Sequence, residues 1–169
     1  VITTIRDTHR RPTVLSLLPA TLPRVYPVGR LDLDTEGLLL LTNDGDFAFR
    51  LTHPKFEVKK TYHAFVKGLP PKQVLDALAA GVVLDDGPTA PAAVRCLRRE
   101  RHGSWLEIII HEGRKRQVRR MCQAVGYPVL KLKRVAFGQL GLGDLPVGRW
   151  RLLQPGEVAM LQRESGCGG

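Results

Sequence analysis

Val118, Met121, Cys122 and Val125 fall at i, i+3, i+4 and i+7, and Gly126 follows where a helix C′ residue belongs. Such a helix has one apolar stripe and must lay it on another element. The surrounding chain supplies mainly strand patterns. Lys60–Val66 alternates, with Tyr62, Ala64 and Val66 on one face and Thr61, His63 and Phe65 on the other. Further strands are expected at Val82–Leu84, Ala92–Leu97, Trp105–His111, Val129–Val135 and Arg149–Leu153. The apolar run Leu38–Thr42 suits a buried strand, entered from the loop Gly29-Arg30-Leu31-Asp32. Asn43-Asp44-Gly45 is turn chemistry, after which Asp46 is placed to cap a short helix through Leu51. Pro71 at a first helical position opens a helix carrying Val74, Leu75 and Leu78, which ends at Gly81. A short helix from Glu157 closes the pattern. The fold class is α+β.

The charge is local. Of the net +10, residues 95–134 carry twelve bases against Glu100, Glu107 and Glu112, or +9 in 40 residues. Arginine outnumbers lysine 18 to 8, which favours planar, bidentate phosphate contacts. A solvated helix face is the ordinary reading of a charge run. This density favours nucleic acid. Lys115, Arg116, Arg119 and Arg120 lie on the outer surface of the basic helix, with residues 114 and 115 at its N-terminal turn, where backbone N–H groups favour anions. No apolar run approaches the roughly 18 residues of a membrane span, and no secretory h-region opens the chain. Cys96, Cys122 and Cys167 form no C-x-x-C pair and read as reduced, intracellular and non-metal.

The densest polar cluster within apolar sequence is Gly29-Arg30-Leu31-Asp32-Leu33-Asp34-Thr35-Glu36-Gly37. It fits a calcium loop poorly, because Asn43 stands where the bidentate Glu would be. Read structurally, Asp and Thr satisfy backbone groups in a turn. Read chemically, Asp32 is a nucleophile or base shown to bound RNA, kept ionised by a cation within about 4–6 Å. The residues alone leave the structural and chemical readings open.

From Gly29 through Gly45 the chain closely resembles the pseudouridine synthases, in particular the RsuA/RluB type that modifies ribosomal RNA. The likeness continues at Arg11-Pro12-Thr13, Lys60-Thr61-Tyr62, Glu112-Gly113-Arg114-Lys115-Arg116-Gln117-Val118-Arg119-Arg120 and Arg134-Val135-Ala136-Phe137-Gly138. It covers nearly the whole chain in order. Leu145–Trp150 looks most like the large-subunit, RluB-like branch.

The resemblance implies a mixed, mostly antiparallel sheet with flanking helices, two lobes and a central cleft. It implies that a target uridine is flipped into the cleft and its N1–C1′ bond broken. The uracil then turns while held, and C5 rejoins C1′. The product is an isomer, so no cofactor, redox partner or metal is expected. Asp32 matches the essential aspartate, Tyr62 the tyrosine that packs on the target base, and Arg119 the basic residue that pairs with the aspartate. Arg30, Arg114, Lys115, Arg116, Arg120, Lys133 and Arg134 are the expected RNA contacts. His63 and His111 read as strand residues.

The expected protein is a cytoplasmic, monomeric RNA-binding enzyme with ribosomal RNA as partner and no membrane association. The first residue is Val within a β-like run, and neither the S4-type RNA-binding module nor the apolar-Asn-Lys-Pro segment usual in this group precedes it. Residues 1–169 therefore read as the catalytic domain of a longer enzyme. The competing readings are a small-subunit synthase, a non-catalytic ribosome-assembly module, and a metal-dependent nuclease using Asp32, Asp34, Asp44 and Asp46.

Overall fold

The structure, a computed structural model, describes residues 13–166. Arg11, Pro12 and Cys167 lie outside the described residues. The strands are β1 (Tyr26–Pro27), β2 (Glu36–Gly37), β3 (Leu41–Thr42), β4 (Lys60–Lys67), β5 (Val83–Leu84), β6 (Gly87–Pro88), β7 (Ala93–Glu100), β8 (Gly103–Ile110), β9 (Val129–Phe137) and β10 (Leu140–Gly141). The α-helices are α1 (Gly45–Thr52), α2 (Lys72–Ala80), α3 (Gln117–Ala124) and α4 (Pro155–Glu164).

The main sheet runs β10-β9-β4-β8-β7, antiparallel throughout, and β2 adds to β9 in parallel. This is the α+β class that the patterning implies and the mixed, mostly antiparallel sheet that the resemblance implies. Period-two alternation decides what each face meets. Ala64 and Val66 of β4, Leu106 and Ile108 of β8 and Leu132 of β9 are buried with Leu78 of α2 and Val118, Met121 and Cys122 of α3. Burying the Val, Leu, Ile and Met side chains among them stabilises the fold by about 1.5–3 kcal/mol each. A second apolar cluster gathers Val28, Leu38, Leu40, Phe47, Leu51, Phe137, Leu140 and Leu161.

Local details depart from the sequence reading where tertiary partners intervene. The run Leu38–Thr42 is not one strand. Gly37 pairs with Arg134 of β9, whereas Leu41 pairs with Pro27 of β1, so the chain changes partners within the run. Asp44, not Asp46, caps α1, its carboxylate accepting from the Phe47 N–H at 3.1 Å. Asp46 instead pairs with Arg50 one turn on. Pro71 is the N-cap of α2 rather than its first residue. Arg149–Leu153 forms no strand, and Leu152 stands 71% exposed. α4 begins two residues earlier than expected, at Pro155, through a capping box of Gln154 and Glu157. α3 begins at Gln117, so residues 114 and 115 precede it and Arg116 is its cap, in the left-handed region at φ +50°.

Among the described residues no helix is long and apolar enough to cross a membrane. Cys122 is fully buried, and burial pushes its thiol up to about 12, whereas Cys96 is half-buried. Since the thiolate is the reactive form, iodoacetamide at pH 8 should alkylate Cys96 well before Cys122. Peptide mapping checks this, and equal labelling would contradict the packing of α3.

Candidate active-site cleft

The loop that carries Asp32 is held at both ends. The Val28 N–H donates to Leu40 O at 2.8 Å, and β2 docks on β9 with the Leu38 N–H donating to Arg134 O at 2.8 Å. Between these anchors the Thr35 N–H closes a turn onto Asp32 O at 2.9 Å. β9 in turn pairs with β4, where Tyr62 lies opposite Arg134. This chain of pairings carries Asp32 to the mouth of a cleft of about 500 Å³ that Tyr62 also lines. Its walls draw on both apolar clusters, Val28, Leu51 and Phe137 on one side and Ile110, Val118 and Leu132 on the other. A larger cavity of about 660 Å³ lies on the other side of Asp32. That one is walled mainly by apolar residues and lacks Tyr62 and residues 114–116, so the smaller cleft is where chemistry-bearing groups converge.

Sequence reasoning pairs Arg119 with Asp32, and the structure places it elsewhere. Arg119 donates from Nη2 to the backbone oxygen of Asp34 at 2.6 Å, and its Nε is 3.5 Å from the Asp34 carboxylate. Its side chain is 12% exposed, and it does not line the cleft. Among the described residues the cation nearest Asp32 is Arg116, at 4.0 Å from Asp32 Oδ2. Arg116 also grips Asp34 through two bonds of 2.9 Å, which holds the Asp34 carboxyl below its usual range. The reason is geometric. Residues 116 and 119 sit one turn apart and face the same loop, and Asp34 presents both a carboxylate and a carbonyl to them. Arg119 thus contacts the loop at Asp34, while Arg116 comes within 4.0 Å of the Asp32 carboxylate.

The expected RNA contacts divide in the same way. Arg114 donates to the Asp86 carboxylate, Gly87 O and Pro88 O, each at 2.9 Å. Arg120 donates to both Asp86 oxygens, at 2.8 and 3.2 Å. Together they clamp the β5–β6 turn to the start of α3, and Arg120 leads in lowering the Asp86 carboxyl. Arg30, Lys115 and Arg116 are exposed at the cleft. Lys133 lines the apolar cavity instead. Arg134 is only 3% exposed, and its Nε donates to Leu38 O at 2.8 Å, so it belongs to the interior of the cleft rather than to the surface.

Three further residues build the site. Buried Gln117 donates to Glu112 Oε1 at 2.9 Å, and that oxygen also accepts from the Ala90 N–H at 2.8 Å. Gln117 Oε1 accepts from the Arg114 N–H, which fixes the path of residues 112–117. Lys60 lines the cleft beside Tyr62. Its signal was the two-residue spacing to Tyr62, which puts both on one strand face. His63 points away from the buried face and contacts Glu107 at 3.3 Å.

The carboxylates of the nuclease and calcium readings do not converge. Asp44 caps α1, Asp46 meets Arg50 and Asp34 meets Arg116. Among the described residues no three His, Cys, Asp or Glu side chains are grouped to hold a metal.

Residues 4–124 match the family described as RNA pseudouridylate synthase. The chain is 48% identical over 164 residues to the ribosomal large subunit pseudouridine synthase B of Bacillus subtilis, covering 96% of this chain and 67% of that protein. It is 49% identical over 145 residues to a ribosomal large subunit pseudouridine synthase E of Xanthomonas campestris, covering 77% and 78% of the two chains. It is 44% identical over 161 residues to an uncharacterized RNA pseudouridine synthase of Aquifex aeolicus, of which it covers 65%. The chain thus spans about two-thirds of the length of several such relatives. A crystal structure of a pseudouridylate synthase superposes with a TM-score of 0.83 at 34% identity, covering 89% of this chain and 65% of that one. An H/ACA RNP bound to a substrate RNA containing 2′-deoxyuridine shares the fold, with a TM-score of 0.55 at 16% identity over 76% of this chain and 42% of that one. The chain belongs to the RNA pseudouridylate synthase family.

Proposed function

We propose that this chain is the catalytic domain of an isomerase that converts a uridine of large-subunit ribosomal RNA to pseudouridine. The observation that carries this reading is Asp32 at the mouth of a cleft shared with Tyr62 and edged by Arg30, Lys115 and Arg116. A base stacked in RNA shields its sugar carbon from attack, so the target nucleotide must leave the stack and enter a pocket. The exposed cations hold its flanking phosphates. Asp32, with the Arg116 guanidinium 4.0 Å from its carboxylate, acts at the sugar or the base as the N1–C1′ bond breaks. Tyr62 packs on the ring and is placed to move a proton. Arg119, through Asp34, positions the loop.

The relatives' names support ribosomal RNA of the large subunit as substrate. That substrate places the work in the cytoplasm.

The test is incubation with large- and small-subunit ribosomal RNA lacking modifications, followed by chemical mapping of pseudouridine. Formation at one site in the large-subunit RNA, undiminished by EDTA, is the expected result. Modification of the small-subunit RNA alone would move the substrate. Binding without conversion would favour an assembly module, and EDTA-sensitive strand cleavage a nuclease.

A further inference from the structure

Two cations share the floor of the cleft with no acid to match them closely. Lys60 and Tyr62 project from the same face of β4, and Arg134 lies across from Tyr62 on β9. Arg134 is 97% buried by its 3% exposure, and its guanidinium lies 5.3 Å from the Phe137 ring centroid. Its Nη2 is buried without a hydrogen-bond partner. A buried donor left unpaired costs about 1–3 kcal/mol, more when charged. Among the described residues no carboxylate lies within ion-pair distance of the Lys60 amine, and Glu112 acts on it only at longer range. The cleft wall thus carries a half-buried lysine amine without an ion-pair partner among the described residues, beside a buried guanidinium with one unpaired donor.

We propose that Lys60 and Arg134 form an anion subsite that takes the carbonyl oxygens of the target uracil and holds the charge the base gains as it leaves the sugar. This rests on the isomerase reading. When the N1–C1′ bond breaks, its electron pair stays with the base, giving a uracilate anion spread over N1, O2 and O4. The electron-poor sugar carbon is either captured by the Asp32 carboxylate or relieved by passing its neighbouring 2′ proton to that carboxylate, which returns it to C2′ as C1′ joins C5. When C1′ is joined to C5, the base supplies the bonding pair and its charge is discharged. The C5 proton then leaves and N1 gains one. The substrate ring is neutral, so cations at O2 and O4 favour the transition state over the ground state. Asp32 serves the sugar and the cation pair serves the base, at opposite ends of the bond that breaks.

Burial, reinforced by the Arg134 charge and opposed by Glu112, brings the Lys60 amine down to about 8. The other charged groups around the cleft are Asp32 and Arg30 from the loop after β1, and Arg114, Lys115 and Arg116 before α3, with Tyr62 on β4 itself. Lys60 is therefore charged at neutral pH and loses its charge as pH rises through about 8.

The test compares the wild-type chain with Lys60→Met and Lys60→Arg in single-turnover reactions on ribosomal RNA transcript. Lys60→Met should lower the rate about 10²-fold with RNA affinity within about twofold. Lys60→Arg should keep most of the rate and move the high-pH fall near pH 8 upward. An unchanged Lys60→Met rate, or a loss confined to affinity, overturns the subsite. If Lys60→Met does not fold, a high-pH fall that stays in place in Lys60→Arg overturns it. A second arm needs no turnover: 5-nitrouracil, ionised at pH 7, should bind wild type about tenfold tighter than neutral uracil, and Lys60→Met or Lys60→Arg variants should respectively lose and keep that preference. Preference without any pseudouridine would sustain the subsite and defeat the isomerase reading. Pseudouridine without preference or Lys60 dependence would do the reverse.

Discussion

Asp32→Asn is expected to reduce pseudouridine formation by at least about 10³-fold while the chain stays folded and RNA affinity changes little. The substitution keeps the size and hydrogen-bonding reach of the side chain but removes the charge and the nucleophilic oxygen pair. Little stability is at stake, because the Asp32 side chain is 36% exposed and its nearest cation among the described residues is 4.0 Å away. The loop itself is held by other groups, namely Asp34 in the grip of Arg116 and the β2–β9 pairing. Chemical mapping of the target uridine, with melting and RNA-binding curves beside it, measures all three quantities. Turnover near that of the wild type would remove Asp32 from the chemistry and leave it as a loop residue.

Gly37→Ala should have the largest effect on stability of any single methyl addition in the loop. Gly37 has φ +119°, a conformation L side chains rarely adopt, and an added Cβ would run into the backbone N, C and O of Arg134. Neither obstacle can swing aside, since both belong to paired strands. Strain and overpacking together should cost on the order of 3 kcal/mol, or roughly 6–12 °C in Tm for a chain of this size. Gly126→Ala separates the two causes, because its φ is +89° but a Cβ there meets nothing within 4 Å. It should cost only about 1–2 kcal/mol. Equal losses at the two positions would show that the β2–β9 approach is not tight. Activity should fall with Gly37→Ala beyond what unfolding explains, because the same pairing positions Asp32.

The strands and helices on either side of the cleft were legible because one face of each is buried. Alternation along Lys60–Val66 and the stripe Val118, Met121, Cys122 and Val125 record that burial directly. The caps were less legible. Asp44 and Asp46 have the same chemistry two residues apart, and which one caps α1 depends on where the preceding turn ends. The strand pattern at Arg149–Leu153 was misleading for a related reason: alternation without a neighbouring strand yields only extended chain. Lys60 was readable from its spacing to Tyr62, but its significance came only with the burial of Arg134 beside it.

By itself, the sequence determined the α+β class, the order of the main elements, the basic segment before and within α3, and the motif residues Asp32 and Tyr62. The class, the element order and the basic segment are properties of local periodicity and residue type, which act over a few residues, whereas Asp32 and Tyr62 are marked by the family resemblance of their motifs. Only the tertiary structure decided which cation meets which carboxylate. Arg116 and Arg119 both turn to Asp34, while Arg114 and Arg120 turn to Asp86. Those pairs join residues up to 85 positions apart. They depend on the left-handed backbone at Arg116, the start of α3 and the packing of the β2 loop on β9. An arginine side chain spans several possible partners, so its choice follows from distance in the folded chain, which no local pattern encodes.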